Sequence, residues 1–234
     1  MARAGWWALD YLYAGSRQIV SVFRRRPPES YAHGDPLRPV IVLLPGVYES
    51  WLFLEPAAAL LNTAGWRVFS VPGLGFNVKP IPESAGLLAE ELARLQQQGV
   101  SSCIFLAHSK GGLIGKRAML DAHQTHGGMA VLGMVAIGTP FSGSEYARYM
   151  PTPSLRHFSP MDKVLLSLQE QTILNSKVVS IYPEFDPHIP AGSALTGALN
   201  VQVPVSGHFR TLSQAAVLDE VVAAVRTFER ESAG

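Results

Sequence analysis

Short, continuously apolar runs separated by helix-like stretches constrain this chain more than any other feature. Val40-Ile41-Val42-Leu43-Leu44 stops at Pro45-Gly46, Ser102 to Ala107 breaks at Ser109, and Met129 to Ile137 ends before Gly138. Runs of this length without polar alternation mark strands buried on both faces. Arg67–Val71, Lys177–Tyr182 and Asn200–Val205 read as further strands. Helical patterns fall between them. The first has Pro56 in its opening turn, Leu60 and Leu61 inward and Gly65 past its end; the second is capped by Ser84, with Leu87, Leu88, Leu92 and Leu95 on one face. Others cover about Gly111–His123 and Asp162–Leu174, and the last opens near Ser213 and buries Val217, Leu218, Val221, Val222, Val225 and Phe228. Parallel neighbours need a crossover connection, so the alternation predicts an α/β fold: a mostly parallel central sheet with helices on both faces. Residues 31–234 read as one such domain, with residues 139–176 forming a short cap.

Composition narrows the function classes. Hydrophobic residues make up 47% of the chain and charged ones 16%, which excludes a disordered polypeptide. Nineteen basic against eighteen acidic side chains leave a net charge of +1, without the concentrated basic surface that nucleic-acid binding requires. Cys103 is the single cysteine, so neither a disulfide framework nor a Cys-rich zinc site is available. Its apolar setting reads as a buried, inert thiol.

The first thirty residues differ from the rest and form a separate amphipathic helical segment. On a helix, Arg3, Asp10, Arg17 and Arg24 recur every seven positions as one narrow polar stripe, beside Ala14 and Ser21. Trp6, Trp7, Leu9, Tyr11, Leu12, Tyr13, Ile19, Val20, Val22 and Phe23 occupy the remaining circumference, and Arg24-Arg25-Arg26 with Pro27-Pro28 end the segment. The expectation is that this wide apolar face packs on the protein's own body. The alternative is that residues 1–26 meet a membrane interface or cover a substrate pocket. No apolar stretch approaches the roughly 18–20 residues of a spanning helix. Asp10 and Arg17 make Trp6–Tyr13 a poor signal-peptide core. The chain is therefore expected to be cytoplasmic, peripheral to membrane if the N-terminal face meets lipid.

The chemistry concentrates at Ala107-His108-Ser109-Lys110-Gly111-Gly112, where a buried strand meets a helix. A serine at such a turn projects its Oγ, and the helix N-terminus favours developing negative charge. A hydroxyl is a weak nucleophile and needs a base. His208, in Ser206-Gly207-His208 after the last strand, offers one, and Asp186, after the preceding strand, is the acid that would orient it. Glu184 and Asp162 are substitute acids, while His108 should diverge from Ser109 and pack beside the turn. Parallel strands bring the order Ser109, Asp186, His208 to one sheet edge. Backbone N–H groups of Val47, in Pro45-Gly46-Val47-Tyr48, and of Lys110 are candidate oxyanion donors. His123 and His126 have metal-like spacing but end a helix, and Asp186 with His188 lacks a third ligand. No metal or cofactor is expected.

This assembly resembles the α/β-hydrolase family, in particular its small bacterial lipases and esterases, over about residues 39–230. The carriers are the Leu-Pro-Gly-Val turn, the Ala-His-Ser-Lys-Gly-Gly elbow, Ile137-Gly138-Thr139-Pro140, Phe185-Asp186-Pro187-His188-Ile189-Pro190 and Ser206-Gly207-His208. Family lipases commonly carry His-Gly where this chain has Pro45-Gly46, and Gly where it has Ala107. The resemblance implies a serine hydrolase that cleaves a small-molecule ester or lipid through an acyl-enzyme. Acyl transfer on the same intermediate, or a non-catalytic membrane-associated role, stays open. Tyr48, Phe141 and Tyr146 are the expected substrate contacts, His157 is a cap residue, and the short cap suggests short to medium acyl chains. Nothing in the sequence specifies an oligomeric state.

Overall fold

A computed structural model of the chain describes residues 2–125, 128–149, 152–156 and 158–233. Six strands, β1 (Val40–Leu44), β2 (Val68–Ser70), β3 (Ser102–His108), β4 (Ala130–Ile137), β5 (Val178–Phe185) and β6 (Leu199–Ser206), form one sheet in the order β2-β1-β3-β4-β5-β6. Every pairing is parallel. The helices are α1 (Ala2–Phe23), α2 (Glu55–Thr63), α3 (Ile81–Gln97), α4 (Lys110–Gln124), α5 (Pro153–Arg156), α6 (Lys163–Glu170) and α7 (Ala215–Ala233).

The continuous apolar runs are explained by two cores, one on each face. Successive side chains of a strand point to opposite faces. In β1, Val40, Val42 and Leu44 enter a layer with α3, α4 and α6, while Ile41 and Leu43 enter the layer with α2 and α7. β3 divides in the same way, Phe105 and Ala107 against Ile104 and Leu106. The order of strands reverses beside β1, which has β2 on one side and β3 on the other. Ligand crevices of open parallel sheets form at such a point, beyond the strands' carboxyl ends. Those ends are locked together by backbone bonds: Ser109 N donates to Ile137 O at 2.9 Å, Gly138 N to Ile181 O at 2.9 Å, and Gly207 N to Phe185 O at 2.9 Å.

Several local expectations are corrected. Ser84 does not cap α3: the helix starts at Ile81 after Pro80, because the prolines supply the helical φ of the first turn. Ser84 is buried inside that turn, its Oγ donating to Asn77 Oδ1 at 3.3 Å. Leu60 is exposed while Leu61 is buried, and α6 ends at Glu170, short of Leu174.

The largest correction concerns α1. The helix packs on the domain mainly through its polar stripe, joined by Trp7 and Tyr11, whose ring centroids lie 5.3 and 5.6 Å from that of His188 over the cleft. Asp10 and Ser21 are buried, Ser21 Oγ lies 2.6 Å from Ser50 Oγ, and Arg17 and Arg24 reach Glu55 at 2.6 and 2.9 Å. Its apolar residues Leu9, Leu12, Ile19, Val22 and Phe23 are exposed. The reason is electrostatic: the domain offers carboxylate and amide partners that only the polar stripe can use. The side chains of Arg3 and Trp6 lie outside the described residues. Among the described residues no helix is long and apolar enough to cross a membrane.

Candidate active site

β3 passes into α4 with one residue between them. Ser109 holds φ 50° and ψ −120°, a left-handed conformation that serine rarely adopts and that aims its side chain out of the turn. The turn is tight: a Cβ on Gly111 would stand 1.8 Å from Leu44 O, and one on Gly112 2.1 Å from Thr139 Oγ1. Only glycine fits at both positions. Ser109 opens onto a cleft of about 840 Å³, walled by Val47, Tyr48, Pro140, Tyr146, Leu155, Phe158 and Ile189 together with His208.

His208 follows β6 through Gly207, whose φ of +116° suits glycine. Its Nδ1 lies 2.7 Å from Asp186 Oδ2, and both side chains are buried. Asp186 Oδ1 meanwhile accepts the amides of His188 at 2.8 Å and Ile189 at 3.0 Å, which fixes the carboxylate. Burial alone would raise the Asp186 pKa, but the neighbouring imidazole and these donors outweigh it and hold the carboxyl below its usual range. Burial likewise opposes charge on His208, yet Asp186, with Glu49 and Asp10 behind it, raises its basicity overall. Among the described residues no hydrogen bond joins Ser109 Oγ to His208, although both line the same cleft.

The expected oxyanion donors flank this serine. Asn77, buried at φ 53°, donates Nδ2 to Pro45 O at 2.6 Å and so holds the peptide before Gly46. Gly46 N is engaged by Glu49 Oε2 at 2.7 Å, while the Val47 amide donates to no protein acceptor among the described residues. Lys110 opens α4, so its amide has no acceptor within the helix. The Lys110 side chain turns away from the cleft, its Nζ donating to Asn77 O at 2.7 Å and to Lys79 O. Burial pushes that ammonium down to about 8.

The other candidates separate clearly. Tyr48, at a strained φ of 61°, and Tyr146 line the cleft. Phe141 does not: the turn at Gly143, whose N–H bonds Pro140 O, sends the Phe141 ring into the core, and Pro140 takes the cleft wall. Glu184 is exposed and Asp162 caps α6 through the Val164 and Leu165 amides, while the carboxylate on His208 Nδ1 is that of Asp186. His108 is buried against Glu49, its Nδ1 2.8 Å from Oε1, with its ring centroid 4.6 Å from that of His208. His123 is exposed; His126 and His157 lie outside the described residues.

No protein-family model and no curated protein sequence matches the chain. Solved structures do. The mature form of the lipase BlEst2 from Bacillus licheniformis aligns with a TM-score of 0.63 at 17% identity, over 85% of this chain and 95% of that one. A monoacylglycerol lipase from Paleococcus ferrophilus gives 0.62 at 15% identity, over 85% and 96%. A carboxylesterase structure from Nitrososphaera gargenis gives 0.54 at 13%, over 86% and 94%. The chain has the α/β-hydrolase fold. In this fold the sheet edge that carries Ser109, Asp186 and His208 is also where the connections after β1 and β3 leave in opposite directions, so the cleft sits at the topological switch point.

Two buried carboxylates of the site escaped the sequence reading. Asp10, fully buried on α1, accepts backbone N–H bonds from His208 at 3.0 Å, Phe209 at 2.9 Å and Arg210 at 2.8 Å. It thereby holds the loop that carries His208. Its signal was a lone acid inside an aromatic helix. Glu49, buried between Gly46 N and His108, is the second; a carboxylate three residues after the Pro45-Gly46 turn was its only trace.

Proposed function

We propose that this protein is a carboxylic-ester hydrolase that works through an acyl-enzyme. The observation that carries the reading is the buried 2.7 Å Asp186–His208 pair facing the same cleft as a serine on a strained strand–helix turn. Ser109 Oγ attacks the ester carbonyl while His208 Nε2 takes its proton, and Asp186 steadies the imidazolium through Nδ1. The Val47 and Lys110 amides hold the oxyanion. Collapse expels the alcohol with the proton from His208, leaving Ser109 acylated. His208 then activates water, and the acid leaves with Ser109 restored. The lipases and carboxylesterase that share the fold support ester chemistry. An apolar-walled cleft of about 840 Å³ suits a short to medium acyl chain with its alcohol portion.

The test combines a fluorophosphonate probe with a p-nitrophenyl ester series from acetate to palmitate. Labelling at Ser109 and a rate that peaks within the short to medium range are expected. A folded protein that neither takes the label nor cleaves any ester would overturn the reading.

The pH profile gives a separate check. The base acts as neutral imidazole, and His208 holds its proton to higher pH than an ordinary histidine. The acid limb of kcat/KM should therefore have its midpoint above 6.5, with activity lost as pH falls through it. His188, pushed down to about 4 by burial and by the charge on His208, stays neutral across that range and adds no second inflection.

A further inference from the structure

We infer that α1 is an interfacial helix whose outward apolar face rests on an anionic lipid surface. Its polar stripe is spent on the domain: Asp10 on the amides of residues 208–210, Arg17 on Glu55, Ser21 on Ser50. Away from Trp7, Tyr11 and Ala14 the apolar side is left in water, with Phe23 83% exposed, Leu12 70% and Ile19 66%. Monomeric proteins rarely leave so continuous an apolar strip open unless something covers it. At about 1.5 Å per residue the 22-residue helix is roughly 33 Å long, and contacts to the domain run from Trp7 to Arg24 just past its end.

Two observations select lipid as the occupant. The helix runs directly into Arg24-Arg25-Arg26, all exposed, while the only acid on α1, Asp10, is buried; the uncovered end is therefore basic and complements anionic headgroups. Trp7, Tyr11, Ala14, Gly15 and Gln18 of the same helix line the cleft that holds Ser109. The exposed strip and the cleft lining thus share one element, which places the two side by side on α1. What the cleft would take from that surface rests on the ester-hydrolase reading; the docking itself does not.

The test is co-sedimentation of the full chain with phosphatidylcholine vesicles, with and without phosphatidylglycerol, alongside hydrolysis of a soluble monomeric p-nitrophenyl ester. The variants are Leu12→Glu/Ile19→Glu/Phe23→Glu and Arg25→Glu/Arg26→Glu, none of which touches the cleft. Wild type should pellet with the anionic vesicles and less so at high salt. Either variant should lose about tenfold or more of that partitioning while keeping soluble-ester turnover and thermal midpoint. Three results overturn the inference: no pelleting of wild type, equal pelleting of both variants, or a solution dimer that the triple variant dissolves without any vesicle binding, which would make a second copy the cover. Vesicle binding without ester cleavage would uphold the docking and remove the hydrolase reading.

Discussion

Ser109→Ala should abolish the proposed ester cleavage and leave the fold standing. Turnover should fall on the order of 10⁵-fold, equivalent to about 7 kcal/mol of transition-state stabilisation. The residual rate would come from the Val47 and Lys110 amides and from substrate binding. Stability should change little. Among the described residues Ser109 Oγ makes no hydrogen bond, and the elbow is held instead by Ser109 N on Ile137 O and by the close approach of Gly111 to Leu44. Groups that act as one unit are not additive, so adding His208→Ala to Ser109→Ala should cost almost nothing further. Parallel rate assays and thermal melts of wild type and the two variants decide the matter. Wild-type turnover in Ser109→Ala would remove the serine from the chemistry altogether.

What the sequence made legible follows a physical division. The strands could be read because burial on both faces leaves no room for polar residues, and Val40–Leu44 and Ser102–Ala107 announce themselves by that alone. That Ser109, Asp186 and His208 meet at one sheet edge could be read because parallel strands deliver successive carboxyl ends there. The orientation of α1 could not. Periodicity shows that two faces exist, and the usual assumption sends the apolar one inward. Here the partners that decide the matter, Glu55 and the amides of residues 208–210, sit far along the chain from the stripe they bind. Phe141 failed for a related reason: a loop has no period, so the Pro140–Gly143 turn decides between core and cleft. Glu49 was invisible because its role lies in contacts to Gly46 and His108 rather than in any motif.

Asp10→Asn tests the longest of those connections, and its effect should be large for so conservative a change. Asp10 Oδ1 accepts from the Phe209 and Arg210 amides and Oδ2 from His208. An asparagine amide has one oxygen, so in either orientation it turns an N–H₂ donor toward backbone donors. The resulting unpaired buried groups should cost about 2–3 kcal/mol of stability. The loop they loosen carries the proposed base, and a displacement of that kind can lower kcat/KM roughly 10²-fold. A purely structural role would stop there. Asp10 also contributes to the raised basicity of His208, so removing its charge should move the acid limb of the pH profile to lower pH. A loss of rate with an unmoved limb would make Asp10 a strut for the loop. A loss of rate with a limb displaced downward would make it a positioning residue that also sets the charge around His208, placed there by the N-terminal helix.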